Sequence, residues 1–150
     1  MSWEAQFETA FTTALRGHAP LAALLAPGPA IYRARPLAPS AYPLLTWAHR
    51  DTLDPRLTGD GKVCLALEIS IWSTPGAAAA IRRALHALLD ERARVRAGLP
   101  ASPLDMADWV CRSLRYLGGA EEPTRSMAAD AAQSEVVRRV TQWSLRLYRV

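Results

Sequence analysis

The sequence predicts a single α+β domain spanning residues 1–150, in which a mainly antiparallel β-sheet packs against an N-terminal helix and a central helix and carries one long-looped hairpin. Three observations support this. The first residues repeat apolar side chains at helical spacing. The stretch "VCLALEISIWSTPGAAAAIRRALHALLD" alternates like a strand up to Trp72 and then, across Ser73-Thr74-Pro75-Gly76, repeats every three or four residues. The chain closes on two further alternating segments separated by a turn-rich run. Its 150 residues, half of them apolar, suffice for one core and are too few for two comfortable ones.

In chain order, Trp3, Phe7, Phe11 and Ala14 with Leu15 form the stripe of an amphipathic helix over Ser2 to Arg16. Ser2 suits its N-cap, Glu4 its first turn and Gly17 its end. "PLAALLA", Pro20 to Ala26, reads as a short helix stopped by "PGP". A short strand fits Ile31 to Arg33, after which Pro36 and Pro39 forbid regular pairing. Tyr42 to Arg50 is a strand by its β-rich composition, and Asp60-Gly61 signals the hairpin into the next one. That central strand sets Val63, Leu65, Leu67, Ile69 and Ile71 on a core face and Cys64, Ala66, Glu68, Ser70 and Trp72 on the other.

The helix that follows takes Ser73 or Thr74 as N-cap and Pro75 in its first turn. Its buried face is expected to be Ala77, Ile81, Ala84, Leu85, Leu88 and Leu89, and "RARVRAGLPASP" is read as a loop. Ala107 to Gly119 forms a strand with Val110, Arg112, Leu114 and Tyr116 on one face and Trp109, Cys111, Ser113, Arg115 and Leu117 on the other. Gly118 to Ser134 is the long irregular loop, and "VVRRVTQWSLRLYRV" is the final strand, with Trp143, Leu145 and Leu147 on one face.

Composition narrows the chemistry. The net charge is +4, and of eighteen basic residues all but Lys62 are arginine. The sequence clusters Arg33/Arg35, Arg82/Arg83, Arg92/Arg94/Arg96 and Arg138/Arg139 are small, and scarce Lys with abundant Ala fits a GC-rich codon bias. A basic adaptor that neutralises nucleic-acid phosphates is the alternative reading. The N-terminus lacks a basic region ahead of an apolar run, and no eighteen-residue apolar stretch occurs, so neither secretion nor a membrane span is expected. Cys64 and Cys111 lie apart in apolar segments, as two small buried hydrophobes. His18, His49 and His86 lack paired spacing, so no metal is expected. The lone Gly76 satisfies neither a dinucleotide fingerprint nor a P-loop, and no G-x-S-x-G elbow occurs. No catalytic residue, cofactor or metal site is assigned, and the chain is not expected to be an enzyme.

Five tryptophans are many for this length. Trp47, Trp72 and Trp143 fall on strands, two of them assigned to the less buried face, where outward rings would favour an interface; cover by a second layer of the same chain is the alternative.

Taken together, the N-terminal helix, "PLAALLAPGPAIYRARP", "YPLLTW", the strand exit "IWSTPGAAAAIRRALHALLD" with Trp72, Ser73 and Gly76, and the closing "WSLRLYRV" resemble the tail-completion, or tail terminator, proteins of siphophages and gene transfer agents. The resemblance covers nearly the whole chain and departs from the usual pattern at the Arg-rich, Pro-broken stretch Arg92 to Pro103. It implies a virion protein, assembled in the host cytoplasm, whose subunits form a ring, typically a hexamer. That ring caps the major tail tube protein, meets a head-closure (stopper) protein and leaves a channel for DNA. The implied subunit or partner contacts are Trp47, Trp72 and Trp143 with Glu121, Glu122 and Arg125. A head-closure or minor tail protein of the same assembly is the neighbouring reading.

Overall fold

Ser2 accepts a hydrogen bond from the Ala5 amide at 3.3 Å and so starts helix α1 (Trp3–Gly17), whose Phe7, Ala10, Phe11 and Leu15 are buried. In this computed structural model residues 2–34, 41–51, 61–122 and 136–150 are described, with residues 51 and 120–122 as backbone only. Helix α2 (Ala19–Ala22) follows one residue on and buries Leu21. The short strand β1 (Ile31–Arg33) then runs parallel to β2 (Leu44–Asp51), which turns back as β3 (Lys62–Ser73). Gly61, at φ +73°, opens β3 in the left-handed region that glycine tolerates. The Asp60 half of the hairpin signal lies outside the described residues.

The corner after β3 is the strand-to-helix joint read from the sequence. Thr74 is the N-cap of α3 (Pro75–Leu89), although its hydroxyl makes no capping bond; its carbonyl accepts from the Ala77 and Ala78 amides at 3.1 and 3.3 Å. The buried face of α3 is Ala78, Ile81, Ala84, Leu85, Leu88 and Leu89, so Ala78 takes the place expected of Ala77.

What was read as a loop begins as a second helix, α4 (Glu91–Arg96). Asp90 ends α3 in an extended conformation, and its side chain accepts from the Arg92 amide at 3.1 Å, capping the new helix. Arg94 then turns inward at 8% exposure and donates to the carbonyls of Leu88 at 3.0 Å and Pro100 at 2.7 Å. Those two acceptors, which a reading of charge alone does not anticipate, make the inward arginine favourable.

Strands β4 (Trp109–Glu122) and β5 (Val137–Arg149) form the last hairpin and complete a five-stranded sheet of order β1-β2-β3-β5-β4, antiparallel except at β1. The α+β class with a mainly antiparallel sheet is therefore what the chain adopts. β4 runs on to Glu122 through residues expected to be irregular. Its faces also differ from simple alternation. Register shifts at Cys111/Ser113 and Tyr116/Gly118 each insert one residue, so Trp109 and Cys111 share the core side with Leu114 and Tyr116.

The main core lies between α1 and α3 on one side and the inward residues of β2, β3 and β5 on the other, with Leu45, Leu65, Leu67, Ile69, Ile71, Leu145 and Leu147 essentially inaccessible. Gln6 links α1 to the approach to β4, its amide donating to Asp108 Oδ2 at 2.9 Å and its carbonyl accepting from the Asp108 amide at 3.1 Å. A second, smaller cluster of Ala26, Ala30, Leu44, Trp72 and Val136, with Tyr42 against it, covers one end of the opposite sheet face. Among the described residues no helix packs on the rest of that face.

Candidate functional site

The three strand tryptophans do not offer their rings as free surface. Trp47 is 3% exposed and packs edge-on to Phe11 at 4.8 Å and Phe7 at 6.2 Å. Trp143, 1% exposed, donates from Nε1 to Thr141 Oγ1 at 2.9 Å and sits against His86 and Tyr116. Trp72 does lie on the helix-free side, yet it is 6% exposed, roofed by the second cluster and bonded from Nε1 to Thr46 Oγ1 at 2.9 Å. The expected outward exposure is thus corrected: the segment around Ala26 to Ala30 and Val136, far apart in sequence, forms the second layer. Glu121 and Glu122 occupy register positions opposite Arg139 and Arg138, and Arg125 lies outside the described residues.

The titratable groups are dispersed over the structure. Among the described residues no three His, Cys, Asp or Glu side chains lie together as a metal site would require. His49 is buried among Trp3, Phe7 and Trp47, with Nε2 3.5 Å from Glu8 Oε1, and Glu8 pairs with Arg33 at 2.6 Å. His18 Nε2 is buried without a hydrogen-bond partner. Burial, with the Arg94 cation adding to it, holds this imidazole below its usual range. Burial pushes the Cys111 thiol up, and Cys64 is likewise buried.

Two surfaces remain. On the helical side, Arg82, Arg83, His86, Ala87, Ala93 and Tyr116 line an open hollow between α3, α4 and β4. Nearby Glu91 engages Arg115 at 2.7 Å, and Asp90 lies 3.7 Å from His86, so charges of both signs meet there.

The helix-free sheet face is different. By alternation and register, Arg50 of β2, Lys62 of β3 and Arg146 of β5 stand on it, and Arg112, the extra residue of the first β4 bulge, reaches the Tyr148 ring there. The Tyr148 ring lies 5.8 Å from Lys62 Nζ and 5.6 Å from the Arg112 guanidinium carbon, holding two of these cations on one platform. Beside Arg50, on the side away from Lys62 and Arg146, a shallow hollow is lined by Ala48, His49, Ala66, Glu68 and Gln142. Glu68 is committed to Arg138 at 2.8 Å and to Gln142 at 3.2 Å. Among the described residues no ion pair links Arg50, Lys62, Arg112 or Arg146 to an acid. None of the four belongs to the arginine clusters visible along the sequence. They come from four strands, and only pairing brings them to one face; the signal for them was parity of position, as in Arg146 and Tyr148 opposite the inward Leu145 and Leu147.

No family model matches the chain, and no curated protein does. Among solved structures, a chain from the virion of a native gene transfer agent particle shares 20% identity over 94% of this chain and 93% of its own length, with a TM-score of 0.63. Across nearly their whole lengths, then, the two chains are alike in fold.

Proposed function

We propose that this chain is a structural protein of a phage-like particle, and within that class a tail terminator. The observation that carries the reading is the end-to-end likeness of fold to a chain of a gene transfer agent virion, covering 94% of one and 93% of the other. The role is carried to this chain by analogy of fold, and what supports the analogy is a match along the whole domain rather than through one embedded motif. In this reading the subunits close into a ring, a hexamer by the resemblance. One face of the ring seats on the last layer of the tail tube and stops further addition of tube protein; the other meets the head-closure protein, and DNA passes through the centre. The task is mechanical. It needs a rigid fold with interaction surfaces, and the described residues supply two charged surfaces on a well-packed sheet.

Electron microscopy of the purified protein, alone and mixed with cognate tail tubes, tests this. Rings at tube ends in the mixed sample are the expected result. Bare tube ends at saturating protein would overturn the terminator assignment, and binding instead to a head-closure complex would move the chain to the neighbouring joint.

A further inference from the structure

We infer that the helix-free sheet face is the surface that meets DNA, binding the phosphate backbone of a duplex through Arg50, Lys62, Arg112 and Arg146 without reading its sequence. The inference rests on the terminator reading, which brings DNA past the subunit, and it assigns the face and the residues. Three features support it. The first is sign. Among the described side chains of this face the one acid is Glu68, and it is engaged by Arg138 and Gln142, whereas the helical layer sets Glu4, Glu8, Asp90 and Glu91 among its arginines. A surface of one sign attracts a polyanion where a mixed one does not.

The second feature is availability. Several other arginines have assigned internal partners: Arg94 holds two carbonyls, Arg33 pairs with Glu8, Arg115 with Glu91, and Arg16 donates to the Ile31 carbonyl at 3.3 Å. The third is shape. Arg50 lies opposite Ala66, which lies opposite Ser144, while Arg146 stands two residues along β5. Two strand spacings across and two residues along separate the Arg50 and Arg146 backbones by about 12 Å. Alanine and serine occupy the floor between them at Ala66 and Ser144, so a rounded backbone can approach while long cationic side chains reach it from the sides.

The test compares two quadruple variants that lower the net charge equally. Arg50→Gln/Lys62→Gln/Arg112→Gln/Arg146→Gln alters the sheet face; Arg82→Gln/Arg83→Gln/Arg92→Gln/Arg96→Gln alters the helical side. The probe is a short fluorescent duplex titrated over a salt series. Four phosphate contacts predict a log–log salt slope of about −3.6 for the unmodified chain, an affinity loss of about 150-fold between 50 and 200 mM salt. The sheet-face variant should lose this binding and the helical-side variant should keep the slope. If circular dichroism shows that the quadruple sheet-face variant does not fold, Arg146→Gln alone should flatten the slope by about 0.9. Equal loss in both variants, loss only in the helical-side variant, or no duplex binding by the unmodified chain would overturn the proposal. Tube-end microscopy on the same samples reports separately on the terminator reading. Rings without duplex binding sink this surface alone, and duplex binding through it without rings sinks the terminator reading alone. A sheet-face variant that folds but no longer forms rings would make the face a subunit contact and would also overturn the proposal.

Discussion

Trp72 is where the second core cluster can be measured. Its indole is 6% exposed, donates to Thr46 Oγ1 at 2.9 Å and lies 5.3 Å beneath the Arg138 guanidinium. Replacing it with alanine removes the largest member of a cluster whose other members are two alanines, Leu44 and Val136, so little can collapse into the space. The expected cost is at the lower end of the large-to-small aromatic range, about 3 kcal/mol. For a chain of this size that lowers the melting temperature by about 6–12 °C. Trp72→Phe keeps most of the ring but leaves the buried Thr46 hydroxyl unbonded, for about 1–2 kcal/mol. Adding Thr46→Val should then recover part of the loss, with a coupling of about 1 kcal/mol in the double-mutant cycle. Urea denaturation followed by circular dichroism measures all four proteins. A Trp72→Ala cost below about 1 kcal/mol, or strict additivity of Phe and Val, would refute the account of Trp72 as an internally roofed, hydrogen-bonded residue.

Three further outcomes are expected. At Gly119 an added Cβ would come within 2.9 Å of the Val140 carbonyl and 2.7 Å of the Tyr116 hydroxyl; the hydroxyl can swing aside and the backbone cannot, so Gly119→Ala should cost about 1–3 kcal/mol in a chemical melt. His18 is favoured neutral in the folded chain, whereas the unfolded chain takes up its proton near the ordinary value of about 6.5, so its contribution is complete above that pH and is lost as pH falls. The melting temperature should therefore drop between pH 7 and pH 5, and by less in His18→Asn; parallel profiles would contradict this. Burial keeps the Cys111 thiol protonated, so its alkylation in the native state at pH 8 should run at least about a hundredfold slower than in urea, as read by peptide mass spectrometry; comparable rates would show that the site is open.

Much of the architecture was legible because it rests on local periodicity. The Phe7–Phe11–Leu15 stripe, the five aliphatics of β3 and the Pro75 helix start each follow from spacing within one element, and each element formed at that place. The misreadings are equally specific. The run from Arg92 reads as loop in sequence, and only the Leu88 and Pro100 carbonyls, placed by the turn of the chain, give Arg94 of α4 a reason to point inward. The β4 faces were exchanged halfway because bulges obey the partner strand, whose register against Tyr148, Arg146 and Ser144 determines where the extra residue goes.

The candidate surface divides in the same way. Sequence alone determined that the chain is basic, that nearly all of this charge is arginine, and which residues of the unbulged strands β3 and β5 share a side, because those properties belong to the residue or to its neighbours two positions away. Only the tertiary structure decided that Trp72 is roofed and that Arg50, Lys62, Arg112 and Arg146 stand on one face. Both depend on strand order and on contacts between segments distant in the chain: β5 lies between β3 and β4, and Ala26, Ala30 and Val136 meet over the sheet's end. Burial and electrostatic field are sums over everything nearby in space, and which groups are nearby is settled by pairing and packing.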